Sequence, residues 1–94
     1  MKKSIISSKR ECYICGNTDE MHRHHVFYGT ANRAVSEKYG CWVYLCAHHH
    51  NGGGYSVHQS RVLDEWLKRL TQRKWEELYG DREAFIRAFG RSYL

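Results

Sequence analysis

Between Leu45 and His58 the chain reads LCAHHHNGGGYSVH, one thiol and four imidazoles in a few turns of backbone. No ordinary hydrophobic core needs such a stretch. Three adjacent histidines cannot all face one way on a helix or a strand, so His48, His49 and His50 must serve different places. Upstream, Cys12 to His25 reads CYICGNTDEMHRHH and adds a Cys-x-x-Cys pair and a second histidine cluster. Thiolate and imidazole are the preferred ligands of zinc and related divalent ions. The two stretches therefore read as two metal sites, with the rest of the chain as scaffold.

Length supports this reading. At 94 residues, a single domain spanning 1–94 has a marginal core, and a metal or disulfide staple is commonly needed. The N-terminal segment breaks off after Ile5 and Ile6, so no signal peptide is expected, and no stretch has the apolar length of a membrane span. The expected location is cytoplasmic, where the four cysteines hold metal as thiols and form no disulfides. Fifteen Lys and Arg against ten acids leave a net charge of +5, which points to an anionic partner, with plain solubility as the other reading.

Residues 1–11 read as a loose basic arm, 12–58 as the metal-binding and motif region, and 56–94 as C-terminal helices. Cys12 to Asn17 has the form of a zinc knuckle, with Gly16 able to take the left-handed turn. Thr18 to Arg23 reads as loop and His24 to Tyr28 as a short strand stopped by Gly29. Thr30 to Gly40 reads as a loop with one helical turn, and Trp42 to Leu45 as a second strand able to pair with the first as an antiparallel hairpin. A helix is expected from about Ser56 to Tyr79. A second, capped by Asp81 and ended by Gly90, carries Phe85, Ile86 and Phe89. Trp66, Trp75, Phe85 and Phe89 are the expected core. The fold class is α+β.

Cys12-x2-Cys15 and Cys46-x2-His49 offer three sulfurs and one nitrogen, a closed tetrahedral set suited to structural zinc. Cys41 in place of His49 is the alternative. His22 and His48 read as exposed or otherwise satisfied side chains. His24, His50 and His58 remain as candidates for an open three-ligand site that could do chemistry, and His25, facing the other way along the strand, is then free to act as a base.

CYICG, HHV, LCAHHHN and the later histidine resemble the zinc-containing branch of the HNH nucleases, especially the small HNH endonucleases of bacteria and their phages. The resemblance runs from Cys12 to about His58. It implies a zinc-stapled ββα-metal (His-Me finger, treble-clef-like) fold, with His24 a ligand of the catalytic ion, His25 the general base, and His50 and His58 further ligands. The ion would be Mg²⁺, Mn²⁺, Ni²⁺ or Zn²⁺. The family's middle Asn is missing from its usual place, where this chain has Cys41, Trp42 and Val43. Asn32 is the best substitute and Asn51 a weaker one. The implied activity is metal-dependent nicking of DNA to 5′-phosphate and 3′-hydroxyl ends, with Arg23, Arg33, Lys38 and Arg61 on the phosphates. One site cuts one strand, so cleaving a duplex would need a homodimer, two sequential nicks or a partner protein, and the resemblance implies a larger phage or bacterial DNA-processing complex as that partner. The alternative is a non-catalytic zinc module that binds nucleic acid. A third reading, an adaptor, would require an exposed apolar stripe on the 56–79 helix.

Overall fold

The computed structural model describes residues 2–52 and 56–94. Its only sheet among those residues is a pair of short antiparallel strands, Met21–His25 (β1) and Trp42–Cys46 (β2). Register runs from Met21 opposite Cys46 to His25 opposite Trp42, so the hairpin sets Cys46 and His24 on a rigid frame. The fold is α+β, as expected. The pairing begins earlier than the sequence suggests, because Met21 to Arg23 belong to β1 while Val26 and Phe27 leave the ladder. Val26 still donates its N–H to the Cys41 carbonyl, and Phe27 turns into the core, fully buried. Burial of the phenyl ring won over a longer strand.

The connection between the strands is a ten-residue helix, Thr30–Tyr39 (α1), where a loop with a single turn was expected. Its sequence is weakly amphipathic, so tertiary contacts carry it. Ser36 is buried and donates its hydroxyl to the Phe27 carbonyl at 2.6 Å, and the Tyr39 ring packs edge-on against Trp75 at 5.4 Å. Gly40 ends the helix in a left-handed conformation at φ 75°.

The first part of the N-terminal arm, residues 2–6, is docked near the hairpin, where a loose end was expected. Ile5 donates its N–H to the Gly40 carbonyl, the Ser4 hydroxyl donates to the Trp42 carbonyl, and Trp42 Nε1 donates to the Lys2 carbonyl. Ile5 and Ile6 pack against the core. A Cβ at Gly40 would run into the Lys3 carbonyl, so glycine there answers both the turn and the close approach.

After β2 comes a single π-helical turn, His48–Gly52. Gly53 and Gly54, part of the run expected to separate His50 from His58, lie outside the described residues. The long helix, Arg61–Leu78 (α2), starts later than expected because Ser60 caps it, accepting from the Leu63 N–H. A shorter helix, Arg82–Phe89 (α3), is capped by Asp81 and closed by Gly90 at φ 93°, as read from sequence. Phe27 packs among Phe85, Phe89 and Tyr93 at 4.6 to 5.3 Å between ring centroids, and Trp75 and Leu67 complete the core. Trp66 does not belong to it. The indole is 45% exposed, lying against Tyr13.

Candidate metal centres and the adjoining cleft

Local backbone builds the first cluster. Gly16 at φ 77° lets the knuckle close, with its N–H on the Cys12 carbonyl and the Cys12 N–H on the Asn17 carbonyl, both at 2.8 Å. Tyr13 donates to the Tyr44 carbonyl, which lays the knuckle against β2. The end of β2 then delivers Cys46, and the π-helical turn delivers His49. The donor atoms of Cys12, Cys15, Cys46 and His49 lie within 4.8 Å of one another. Cys15 Sγ and Cys46 Sγ are 3.8 Å apart, and Sγ of Cys46 and Cys12 are 3.3 and 3.7 Å from His49 Nδ1. A zinc tetrahedron with ordinary bond lengths has S···S edges of about 3.8 Å and S···N edges of about 3.5 Å. The four side chains could therefore hold a metal such as zinc. Burial works against the Cys12 thiolate, yet hydrogen bonds from the backbone of Cys46, Cys15 and Ile14 outweigh it and hold the thiol below its ordinary value. Cys41 stands apart from this set. It is fully buried, burial pushes its thiol up to about 12, and it belongs to neither cluster of candidate ligands.

The second cluster is all imidazole. His24, His50 and His58 each aim one nitrogen into a space where the three lie within 4.8 Å. His50 Nε2 and His58 Nε2 are 3.3 Å apart, close to the edge of about 3.3 Å that two nitrogens share on a tetrahedral ion. Among the described residues, His24 Nε2 is buried without a hydrogen-bond partner, an arrangement that a cation would satisfy. Burial, followed by the neighbouring His50, His58 and His25 rings, pushes His24 down to about 3. Burial first, then His58 and His22, also lowers His50. Both rings are held neutral, the form that ligates. His22 is exposed as expected, but its Nδ1 lies 3.0 Å from His50 Nδ1, a contact the sequence offered no reason to expect. His48 is exposed and rests on the His49 ring.

Alternation along β1 sends His25 away from this trio. Its Nε2 lies 2.5 Å from Glu37 Oε2 on α1, and the Arg23 guanidinium lies against the same carboxylate at 2.9 Å. The Arg23 hydrogen bond, helped by His25 and opposed by some burial, holds Glu37 below the usual carboxylate range. His24, His25, His50, His58, Arg23 and Arg33 share one cleft of about 530 Å³, walled by Tyr28. Tyr28 donates to Asp64 Oδ2 at 3.1 Å, and Lys68 grips the same oxygen at 2.9 Å from above the Tyr28 ring.

Three expected residues stand outside the cleft. Asn32 sits in the first turn of α1 and does not line it. Arg61 pairs with Glu65 at the start of α2, and Lys38 lies over Tyr39 in the last turn of α1. The side chain of Asn51 is outside the described ones. Glu37, Tyr28 and His22 are the cleft-side residues that sequence reasoning missed. Asp64 and Lys68, four apart on a helix, left a readable sign of their pairing. No family model matches the chain, and no curated protein or solved structure matches it.

Proposed function

We propose that this protein is a metal-dependent endonuclease of the HNH type, hydrolysing DNA phosphodiester bonds on a zinc-stapled ββα-metal frame. The observation that carries the reading is the cleft itself. An imidazole trio whose buried His24 nitrogen has no partner among the described residues lies beside a differently oriented histidine held by a carboxylate, with two arginines on the wall. Cys12, Cys15, Cys46 and His49 are assigned to structural zinc, and His24, His50 and His58 to the catalytic divalent ion. When bound, that ion supplies positive charge at the scissile phosphate and the leaving 3′ oxygen. His25 accepts a proton from the attacking water, a task that suits imidazole near neutral pH. Arg33 and Arg23 face the phosphates, although Arg23 is already engaged by Glu37. Phosphate contacts of this kind position a strand without choosing its sequence.

Incubating purified protein with supercoiled plasmid and Mg²⁺, Mn²⁺, Ni²⁺ or Zn²⁺ tests the proposal. Nicked product with 5′-phosphate ends is expected, and it should disappear in His25→Ala. Binding without cleavage in every metal would favour the non-catalytic zinc module. The position of Asn32 away from the cleft is the observation on that side. The adaptor reading draws on Val62 and Trp66, 80% and 45% exposed one turn apart on α2. No helix among the described residues is long and apolar enough to cross a membrane.

A further inference from the structure

Glu37 sits where nothing in the sequence flags a functional residue, and its surroundings give it more to do than tie α1 to β1. One oxygen meets His25 Nε2 at 2.5 Å. The NH2 group of Arg23 spans both oxygens at 2.9 and 3.2 Å, and the Arg23 guanidinium itself lies 4.3 Å from the centre of the Trp42 ring. Because Trp42 faces His25 across the hairpin, the carboxylate is aimed by the same pair of strands that positions the histidine. Covered by a guanidinium, Glu37 is a poor ligand for a cation, and it is not among the residues of either metal cluster.

We propose that Glu37 is a positioning residue for the hydrolysis: by accepting the Nε2–H of His25 it fixes the ring tautomer and leaves Nδ1 as the nitrogen that takes the proton from water. The inference rests on the nuclease reading above. An ionised carboxylate has no proton to donate, so the imidazole nitrogen bonded to it must carry one. The water O–H bond then breaks, with its proton passing to Nδ1 and its electron pair staying on oxygen. That oxygen attacks phosphorus, the bond to the 3′ oxygen breaks, and the leaving oxygen takes its proton from solvent. The imidazolium formed is stabilised by the Glu37 carboxylate and returns its proton to solvent before the next turnover.

The test combines a ring spectrum with kinetics on zinc-loaded, full-length protein. Nitrogen NMR of wild type at neutral pH should show His25 protonated on Nε2 and bare on Nδ1. Glu37→Gln keeps the shape and can still hydrogen-bond the ring, but its amide can donate to a bare Nε2 and so stabilises the wrong tautomer. It should lower kcat for plasmid nicking by about 10- to 100-fold, a part of the ~10²- to 10⁴-fold that a general base contributes, with KM and zinc content unchanged. A merely structural tie would survive that substitution, so wild-type kcat in Glu37→Gln overturns the proposal. So does a wild-type His25 ring protonated on Nδ1. A wild type that cuts no DNA in any of the four ions sinks the nuclease reading and the catalytic half of this one. The ring spectrum, which needs no turnover, still decides whether Glu37 sets the tautomer.

Discussion

His24 and His25 are neighbours with opposite surroundings. One is 2% exposed, with a nitrogen that has no partner among the described residues, and the other is bonded to Glu37. Their substitutions should therefore fail differently. His25→Ala should keep zinc, the second ion and DNA binding while nicking falls by about 10²- to 10⁴-fold, the usual cost of a lost general base. His24→Ala should lose affinity for the second ion, so that added metal restores part of its activity. Equal cleavage by both variants and wild type in one metal buffer would exclude this catalytic assignment. Acid sensitivity belongs to the same residue. Unfolded, His24 takes a proton below its ordinary value of about 6.5, whereas in the folded chain it does so only at about 3. Between those values the unfolded state binds more protons, so His24 contributes stability above pH 6.5 that drains away as pH falls toward 3. His24→Gln should show a smaller drop in Tm between pH 7 and pH 5 than wild type. An equal drop would mean that His24 is not the group responsible.

At the scale of elements, the N-terminal arm and α1 meet at Gly40. Its φ of 75° and the Lys3 carbonyl in the path of any Cβ make Gly40→Ala costly on two counts. A loss of more than about 1 kcal/mol is expected, read as a lower midpoint in chemical denaturation. Gly16 has a similar φ of 77° but open space around it, so Gly16→Ala should cost less. If the two variants lose the same amount, the arm is not pressed onto the end of α1. The exposed indole on α2 makes a contrasting case. Trp66 is 45% exposed and Trp75 is 2% exposed, so only Trp75→Ala should approach the 3–5 kcal/mol typical of emptying an aromatic site in a core.

For the whole molecule, the first cluster joins two separate pieces of chain, the knuckle and the stretch that runs from the end of β2 into the π-helical turn. A metal there acts as a staple on a small domain, because a site assembled only in the folded state adds its binding energy to folding. Cys12→Ser or a strong chelator should collapse the thermal transition, and metal analysis of folded protein should find one tightly held zinc. Well-folded protein without it would end the zinc assignment. Charge acts on the same scale. With a net charge of +5, DNA affinity should fall steeply as salt rises, with a log–log slope of about −0.9 per phosphate contacted on duplex. A salt-independent affinity would count against backbone contact.

The two candidate clusters were legible because metal chemistry is written in residue type and short spacing. Cys-x-x-Cys, Cys-x-x-His and the paired histidines point to the same two sets that the fold brings together, and the capping residues Asp81 and Gly90 mark helix ends by local physics alone. Alternation along a strand was likewise enough to separate His24 from His25. What tertiary structure alone decided is where residues distant in sequence meet. Glu37 reaches His25 because α1 forms, and α1 forms because Ser36 and Tyr39 find partners in Phe27 and Trp75, which no window of its own sequence contains. The arm docks because Gly40 and β2 offer it backbone partners. Trp66 is left half exposed against Tyr13, outside the core formed by Phe27, Trp75, Phe85 and Phe89. Hydrophobicity and spacing specify what a residue can do locally, but competition for a limited buried volume, and for backbone partners within it, is settled only by the whole chain.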